Sequence, residues 1–312
     1  MWDKFPVIKE ELAAFENYLN SRLSSRNKFL EDASKSVVLS GGKRLRPAFA
    51  IIAALHGDYS RDRAFPVAAA VEVLHAATLV HDDIIDNAKT RRGQPTLSEK
   101  HNINMAVYTG DYLLTKSLRL LSESGLKPEK LNVLTNAVSL LCESEIEQYL
   151  GKYSVTSVNS YLKRILGKTG VLFSASLVLG AKTAALSDDM VRLFRRFGSS
   201  FGAAFQIRDD ILDILSDSKK EGKPVSNDLK EGIATLPIIM SVRNNALLKD
   251  QIGSYFDGKG DLEDIIEKVI SSDGIKDAER LKKQYTQKCR TYIEKLPLTS
   301  VTGALNEIVD WL

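Results

Sequence analysis

The chain has 312 residues, with 43 Lys and Arg against 40 Asp and Glu and a net charge of +3. That length suits one large domain or two small ones, and it buries roughly three quarters of the surface exposed on unfolding. Interspersed charge of both signs gives no cationic face for nucleic acid. Cys142 and Cys289 stand far apart with no CxxC spacing, which excludes a disulfide scaffold and points to a reducing, cytoplasmic compartment. Met1 to Pro6 lack the basic and apolar regions of a signal peptide.

In chain order, the first landmark is Gly41-Gly42-Lys43-Arg44-Leu45-Arg46-Pro47. It puts three cations at a glycine break before a helix, where backbone N–H groups are open to an anion. A P-loop is rejected, because Val37 and Arg44 stand where it requires Gly and Ser or Thr. Ala64 to Val80 is the most apolar window; it is short for a bilayer span and holds Glu72 and His75, so it predicts a buried core helix. Val71, Leu74, Thr78 and Leu79 recur there at helical spacing, as do Phe194, Phe197, Phe201 and Phe205 later. Pro128 with Glu129 opens another helix. Ser187 caps a further one, with Asp188 and Asp189 where the helix dipole favours negative charge.

The eight prolines fall where they start a helix or sit in a loop. Strict alternation is best at Val155 to Val158, which is too short to argue for a sheet. Breaks are predicted at Gly41-Gly42, Gly57 to Arg61, Gly93 to Thr96, Gly125, Gly151 to Ser154 and Asp257 to Gly260. One long polar loop is predicted, from Asp217 to Gly232. No segment reads as an interdomain linker. The expectation is an all-α protein of about a dozen helices, with residues 1–312 forming a single domain.

One acidic pattern occurs twice, as Asp82-Asp83-Ile84-Ile85-Asp86 and as Asp209-Asp210-Ile211-Leu212-Asp213. On a helix these spacings bring carboxylates from successive turns to one side, about 5–6 Å apart, and Gln206 shares the second face. Their repulsion calls for a cation. Magnesium fits, because it takes hard oxygen ligands and keeps positions for water and phosphate. A lone DDxxD is as consistent with a solvated acidic face, but two copies in strongly apolar helices favour the metal. Arg91-Arg92-Gly93-Gln94-Pro95-Thr96 follows the first copy after a turn and a loop, and Arg forks suit phosphate. His75 and His81, each taken alone, read as packed or hydrogen-bonded, and no HExxH or zinc spacing exists.

In this order, GGKRLRP, DDIID with TRRGQPT, GDYLL (Gly110 to Leu114), KTG (Lys168 to Gly170) and FQIRDDILD (Phe205 to Asp213) resemble the trans-isoprenyl diphosphate synthases, from about residue 36 to 240. The resemblance implies an isoprenoid synthase fold, with helices around a deep central cavity and the acidic motifs facing across its mouth. It implies that Asp82, Asp86 and Asp209 ligate up to three magnesium ions, with Asp83, Asp210 and Asp213 ligating or supporting. Lys43, Arg46, His75 and Arg92 would bind isopentenyl diphosphate, and Arg91, Lys168 and Lys223 the allylic diphosphate. Thr169 and Gln206 would lie near the reacting carbons. The family leaves proton removal to the departing diphosphate. The Asp217 to Gly232 loop becomes a lid, with Asp228 reaching toward the metal shell. Ile233 departs from the pattern, since a lysine often stands there.

Short-chain members carry Phe or Tyr about five residues before the first motif as a cavity floor. Here Ala76, Ala77 and Thr78 leave room, about 7.5 Å below Asp82, for a product of roughly thirty to thirty-five carbons. A homodimer without a transmembrane segment is the family's usual state. Other readings stay open: a catalytic subunit that needs a small partner, a geranylgeranyl diphosphate synthase, and, less well supported, a class I terpene cyclase, whose second metal motif DDILD does not match.

Overall fold

A computed structural model describes residues 2–220, 226–243 and 245–312, with no side-chain account of 128–131 and 216–220. Its order is a 3-10 turn at Trp2–Lys4, then α1 (Pro6–Arg22), α2 (Lys28–Val38), α3 (Leu45–Ala54), α4 (Arg61–Ile85), β1 (Thr90–Arg91), β2 (Gln94–Pro95), α5 (Leu97–Lys100), α6 (Ile103–Ser122), α7 (Pro128–Leu150) and α8 (Val158–Ile165). A π-helical turn at Leu166–Gly170 leads into α9 (Val171–Thr183), α10 (Asp188–Lys220), α11 (Asn227–Lys230), α12 (Leu236–Val242), α13 (Ala246–Phe256), α14 (Leu262–Ser271), α15 (Gly274–Ile293) and α16 (Thr302–Asp310). The all-α expectation holds; among the described residues the one sheet is the two-residue pair β1–β2.

The helices start where the sequence supplies acceptors. Asn27, Thr96, Asn102, Ser157, Ser226, Asn245 and Asp261 each accept a first-turn N–H at the N-cap of α2, α5, α6, α8, α11, α13 and α14. Ser187 Oγ accepts from the Met190 amide at the start of α10, as its sequence predicts. Val155 to Val158 forms no strand, as its shortness leads one to expect, and Ser157 caps α8. Two expectations are corrected. The Asp217 to Gly232 loop begins later, since α10 continues to Lys220, and residues 227–230 form α11. Pro66 lies inside α4 rather than at its start. The carbonyl that loses its partner there belongs to the exposed Asp62, where water can replace it.

The chain divides into two compact units. The first comprises Met1–Thr135, Ala175–Arg195 and Leu296–Leu305; the second comprises Asn136–Ser174, Arg196–Lys295 and Asn306–Leu312. In the first, α4 packs along α6 and against α3. Phe49, Ile51, Ile52, Val71, Val73, Leu113 and Leu177 are fully buried there. In the second, α12 packs on α15, and Tyr161, Ile207, Ile214, Leu236, Ile238, Ile252 and Ile266 form the core.

Two helical stretches, Arg61–Ile85 and Val158–Thr183, are long and apolar enough to cross a membrane, yet 72% of each apolar window is buried inside the protein. The core-helix expectation for Ala64 to Val80 therefore holds through burial and not through shortness.

Candidate active site

In the first unit, the acidic motif stands at the C-terminal end of α4. The Asp86 amide closes the last turn on the Asp82 carbonyl (2.8 Å), and Asn87 follows at φ 50°, a left-handed conformation that Asn tolerates. Three carboxylates thus sit where the helix dipole presents its negative end, which disfavours them unless cations are near. Arg91 supplies one, donating from Nε to Asp83 Oδ1 at 2.7 Å. Burial raises the Asp83 carboxyl above its ordinary range against the pull of Arg91. Asp82 is half-buried and Asp86 exposed.

Arg91 and Arg92 belong to a hairpin, β1–β2, where a turn and a loop are predicted. Its two-residue turn, Arg92–Gly93, has φ of 52° and 76°, as a tight hairpin turn requires. Arg92 Nη1 donates to the Gly41 carbonyl and to Ser40 Oγ, so the hairpin is tied to the glycine break. Arg44, held at φ 49° at the N-cap of α3, donates to Glu16 (2.5 Å), Glu72 (2.6 Å) and the Val38 carbonyl (2.8 Å). These partners commit it to structure. Lys43 is exposed. Burial pushes Arg46 down to about 10, against the pull of Glu72, leaving it charged at neutral pH.

Burial, then the guanidinium groups of Arg46, Arg92, Arg91 and Arg44, hold His75 well below its ordinary range. It is a neutral imidazole among cations, able to bond an anion's oxygen without adding charge. A cavity of about 420 Å³ beside this group is lined by Asp83, Arg91, Arg92, Ser40, Thr96 and Lys100 among others. His81 packs elsewhere, with Nε2 3.4 Å from Asp111 Oδ1. Ala76 and Ala77 are buried in α4, and Thr78 is half-buried.

In the second unit, Lys168, Thr169 and Gly170 occupy the π-helical turn between α8 and α9, an irregularity often found at functional sites. Lys168 Nζ lies 2.9 Å from Glu145 Oε1. Thr169 Oγ1 donates to Gln206 Oε1 (2.8 Å), and Gln206 Nε2 donates to Asp210 Oδ1 (2.9 Å). Tyr161 OH donates to Asp210 Oδ2 (2.6 Å). Asp213 accepts from Ser226 Oγ (2.6 Å) and from the Asn227 amide (3.3 Å). Asp209 is half-buried on the same helix. Asp228 is pushed up to about 7 by burial, then by Asp210 and Asp213, with Lys168 opposing.

Lys223, predicted to bind the allylic diphosphate, lies outside the described residues. Ile233 is buried; its amide donates to the Asp228 carbonyl (2.8 Å), and it bridges to Ser154. Its position is part of the packed interior.

The donor chemistry fits magnesium. Carboxylates crowd a helix's negative end, and this ion needs only one or two of them from protein. Among the described residues no three His, Cys, Asp or Glu side chains converge on a metal-sized point. That agrees with Asp83, Asp210 and Asp213 already serving as acceptors for protein donors. Glu145 and Tyr161 escaped the sequence reading, and Glu72 was legible there only as a charge within the apolar window, not as the partner of Arg44. For Tyr161 a signal existed: it precedes Lys168 by two helical turns.

The polyprenyl synthetase family model matches residues 27–269. Heptaprenyl diphosphate synthase component 2 of Geobacillus stearothermophilus is 36% identical, over 99% of this chain and 97% of its own. The crystal structure of heptaprenyl diphosphate synthase from Staphylococcus aureus superposes with a TM-score of 0.90 at 32% identity, covering 97% of this chain and 96% of that one. Polyprenyl synthase from Caulobacter crescentus CB15, complexed with calcium and isoprenyl diphosphate, gives 0.89 at 27% identity, over 98% and 95%. The match spans both acidic motifs, the cationic loop and the KTG turn, and on that ground the chain belongs to the polyprenyl synthetase family and is a trans-polyprenyl diphosphate synthase, a prenyltransferase.

Proposed function

We propose that the chain condenses isopentenyl diphosphate head-to-tail with an allylic diphosphate, to an all-trans polyprenyl diphosphate of thirty to thirty-five carbons. The observation that carries this is the end of α4, where the carboxylates of Asp82 and Asp86 stand in the same unit as Arg46, Arg91, Arg92 and a neutral His75. Such a surface suits a diphosphate held partly by metal and partly by guanidinium groups. The two units would act as one catalytic domain, as the extent of the family match across both suggests.

In this reading Asp82, Asp86 and Asp209 hold magnesium, up to three ions, while Asp83, Asp210 and Asp213 support. Bound magnesium supplies charge neutralisation of a leaving diphosphate. Lys43, Arg46, His75 and Arg92 bind isopentenyl diphosphate; Arg91, Lys168 and Lys223 bind the allylic diphosphate. The allylic C–O bond breaks, the diphosphate leaves with its electron pair, and the double bond of isopentenyl diphosphate attacks the cation. The departing diphosphate then takes the proton. Thr169 and Gln206 turn oxygen atoms toward the developing cation, a fixed dipole needing no reorganisation.

The Geobacillus relative is named as one component, which favours a second reading, a catalytic subunit that turns over only with a partner; otherwise a homodimer in the cytoplasm is proposed. Purified chain, magnesium, a fifteen-carbon starter and isopentenyl diphosphate test all of this by product mass. Products of thirty to thirty-five carbons support the reading, and accumulation at twenty carbons sinks the length assignment. Turnover only after a second polypeptide is added favours the partner-dependent form. Ala77→Phe, filling the floor five residues before Asp82, is expected to shorten the longest product by at least one five-carbon unit.

A further inference from the structure

Two carboxylate oxygens, one amide and two hydroxyls are linked in the second unit: Tyr161 OH to Asp210 Oδ2 (2.6 Å), Gln206 Nε2 to Asp210 Oδ1 (2.9 Å), Thr169 Oγ1 to Gln206 Oε1 (2.8 Å); the Leu236 amide also donates to the Asp210 carboxylate. Three of these residues are enclosed, Tyr161 at 1% exposed, Asp210 at 3% and Thr169 at 7%, and Gln206 is half-buried. An ionised carboxylate only accepts, so whichever donor holds one oxygen decides which face the other presents. A glutamine amide in line with it must turn its NH₂ toward the carboxylate, and its oxygen then points the opposite way. The Arg164 guanidinium over the Tyr161 ring (5.6 Å to the centroid), also bonded to the Ala234 carbonyl (3.4 Å), fixes the tyrosine's place.

We propose that Tyr161 is a positioning residue for the condensation: its hydroxyl pins Asp210, Asp210 orients the Gln206 amide, and Gln206 and Thr169 thereby aim their oxygens at the reacting carbons. The proposal rests on the reading of Thr169 and Gln206 given above. It makes Asp210 an internal acceptor in place of a metal ligand, because both its oxygens are taken by protein donors. It also explains why α8 buries a tyrosine hydroxyl two turns before Lys168: removing it takes one donor away from the buried carboxylate.

The test is a double-mutant cycle with steady-state kinetics. Tyr161→Phe is expected to lower kcat about tenfold, with KM for both diphosphates and the magnesium half-saturation within about twofold. Asp210→Asn is expected to do worse, about a hundredfold. Tyr161 keeps the new amide oxygen, its NH₂ faces Gln206, and Gln206 must flip, so that its own NH₂ donates to Thr169 and its oxygen turns toward the asparagine. The double variant frees the asparagine to turn its oxygen back to Gln206 and should be more active than Asp210→Asn alone.

A Tyr161→Phe enzyme with unchanged kcat and only a lower melting temperature overturns the proposal. So does a double variant no better than Asp210→Asn, or a rise of more than about tenfold in the magnesium requirement on Asp210→Asn. Should the variants not fold, selective ¹⁵N-glutamine labelling of the wild-type chain decides. One Gln206 amide proton should exchange slowly, and fast exchange of both overturns the proposal. Wild-type chain that makes no polyprenyl product with or without a partner defeats the reading of the site, whereas active wild type with an indifferent Tyr161→Phe defeats the positioning alone.

Discussion

At the scale of residues, Asp228, which feels the second acidic motif electrostatically, carries a titration that metal-free protein should reveal. Asp228 holds its proton to about 7 when folded, through burial and the nearby Asp210 and Asp213, against an ordinary 3.8. A raised carboxyl contributes stability that is complete below the unfolded value and is lost as pH rises through the folded one, so the window runs from about 4 to about 7. Asp228→Asn removes that loss. In EDTA, urea melts should show the variant gaining on the wild type between pH 5 and pH 8 by on the order of 1 kcal/mol, after discounting for half-burial. A flat difference over that range would show that Asp228 ionises normally. The aspartates themselves were legible, because a three- and four-residue spacing on a helix is a local property. The partners that tell them apart were not. Arg91 for Asp83, Tyr161 for Asp210 and Ser226 for Asp213 reach their acceptors through a hairpin, a neighbouring helix and a returning segment.

Among elements, the KTG turn shows how backbone sets side-chain placement. A Cβ added at Gly202 of α10 would collide with Gly170 and meet Phe173 Cδ2 at 3.3 Å, so Gly202 lets α10 approach the π-helical turn that carries Thr169. Gly202→Ala is expected to cost about 1–3 kcal/mol and to lower kcat, since it pushes Gly170 and with it the Thr169–Gln206 bond. Gly253→Ala in α13, with nothing within 4 Å of the new methyl, is the control and should gain about 0.5–1 kcal/mol. Equal effects of the two would remove the argument from close approach. Helix existence was readable from capping residues and periodicity, as Ser187 before α10 shows. The hairpin of Arg91 and Arg92 was not, because two-residue strands leave no alternation to detect. Nor was the π-helical turn, whose sequence reads as continuous helix.

For the whole molecule, burial decides what hydropathy leaves ambiguous. Arg61–Ile85 and Val158–Thr183 pass for membrane spans by composition, yet most of each apolar window faces protein. Folded chain is therefore expected in the aqueous phase of a Triton X-114 partition and in the detergent phase only after heating past its melting temperature; detergent-phase recovery of folded chain would show a membrane-seeking surface. By itself the sequence determined the helical class, the two acidic motifs, the cationic loop and the family resemblance, because these depend on spacing along one chain. Tertiary structure decided the role of each charge. Glu72 and Glu16 commit Arg44 to structure while Lys43 stays exposed. Neighbouring guanidinium groups keep His75 neutral, and packing at Ile233 removes that position from the site. Desolvation and pairing arise only when residues distant in sequence are brought together, so no reading along the chain could assign them.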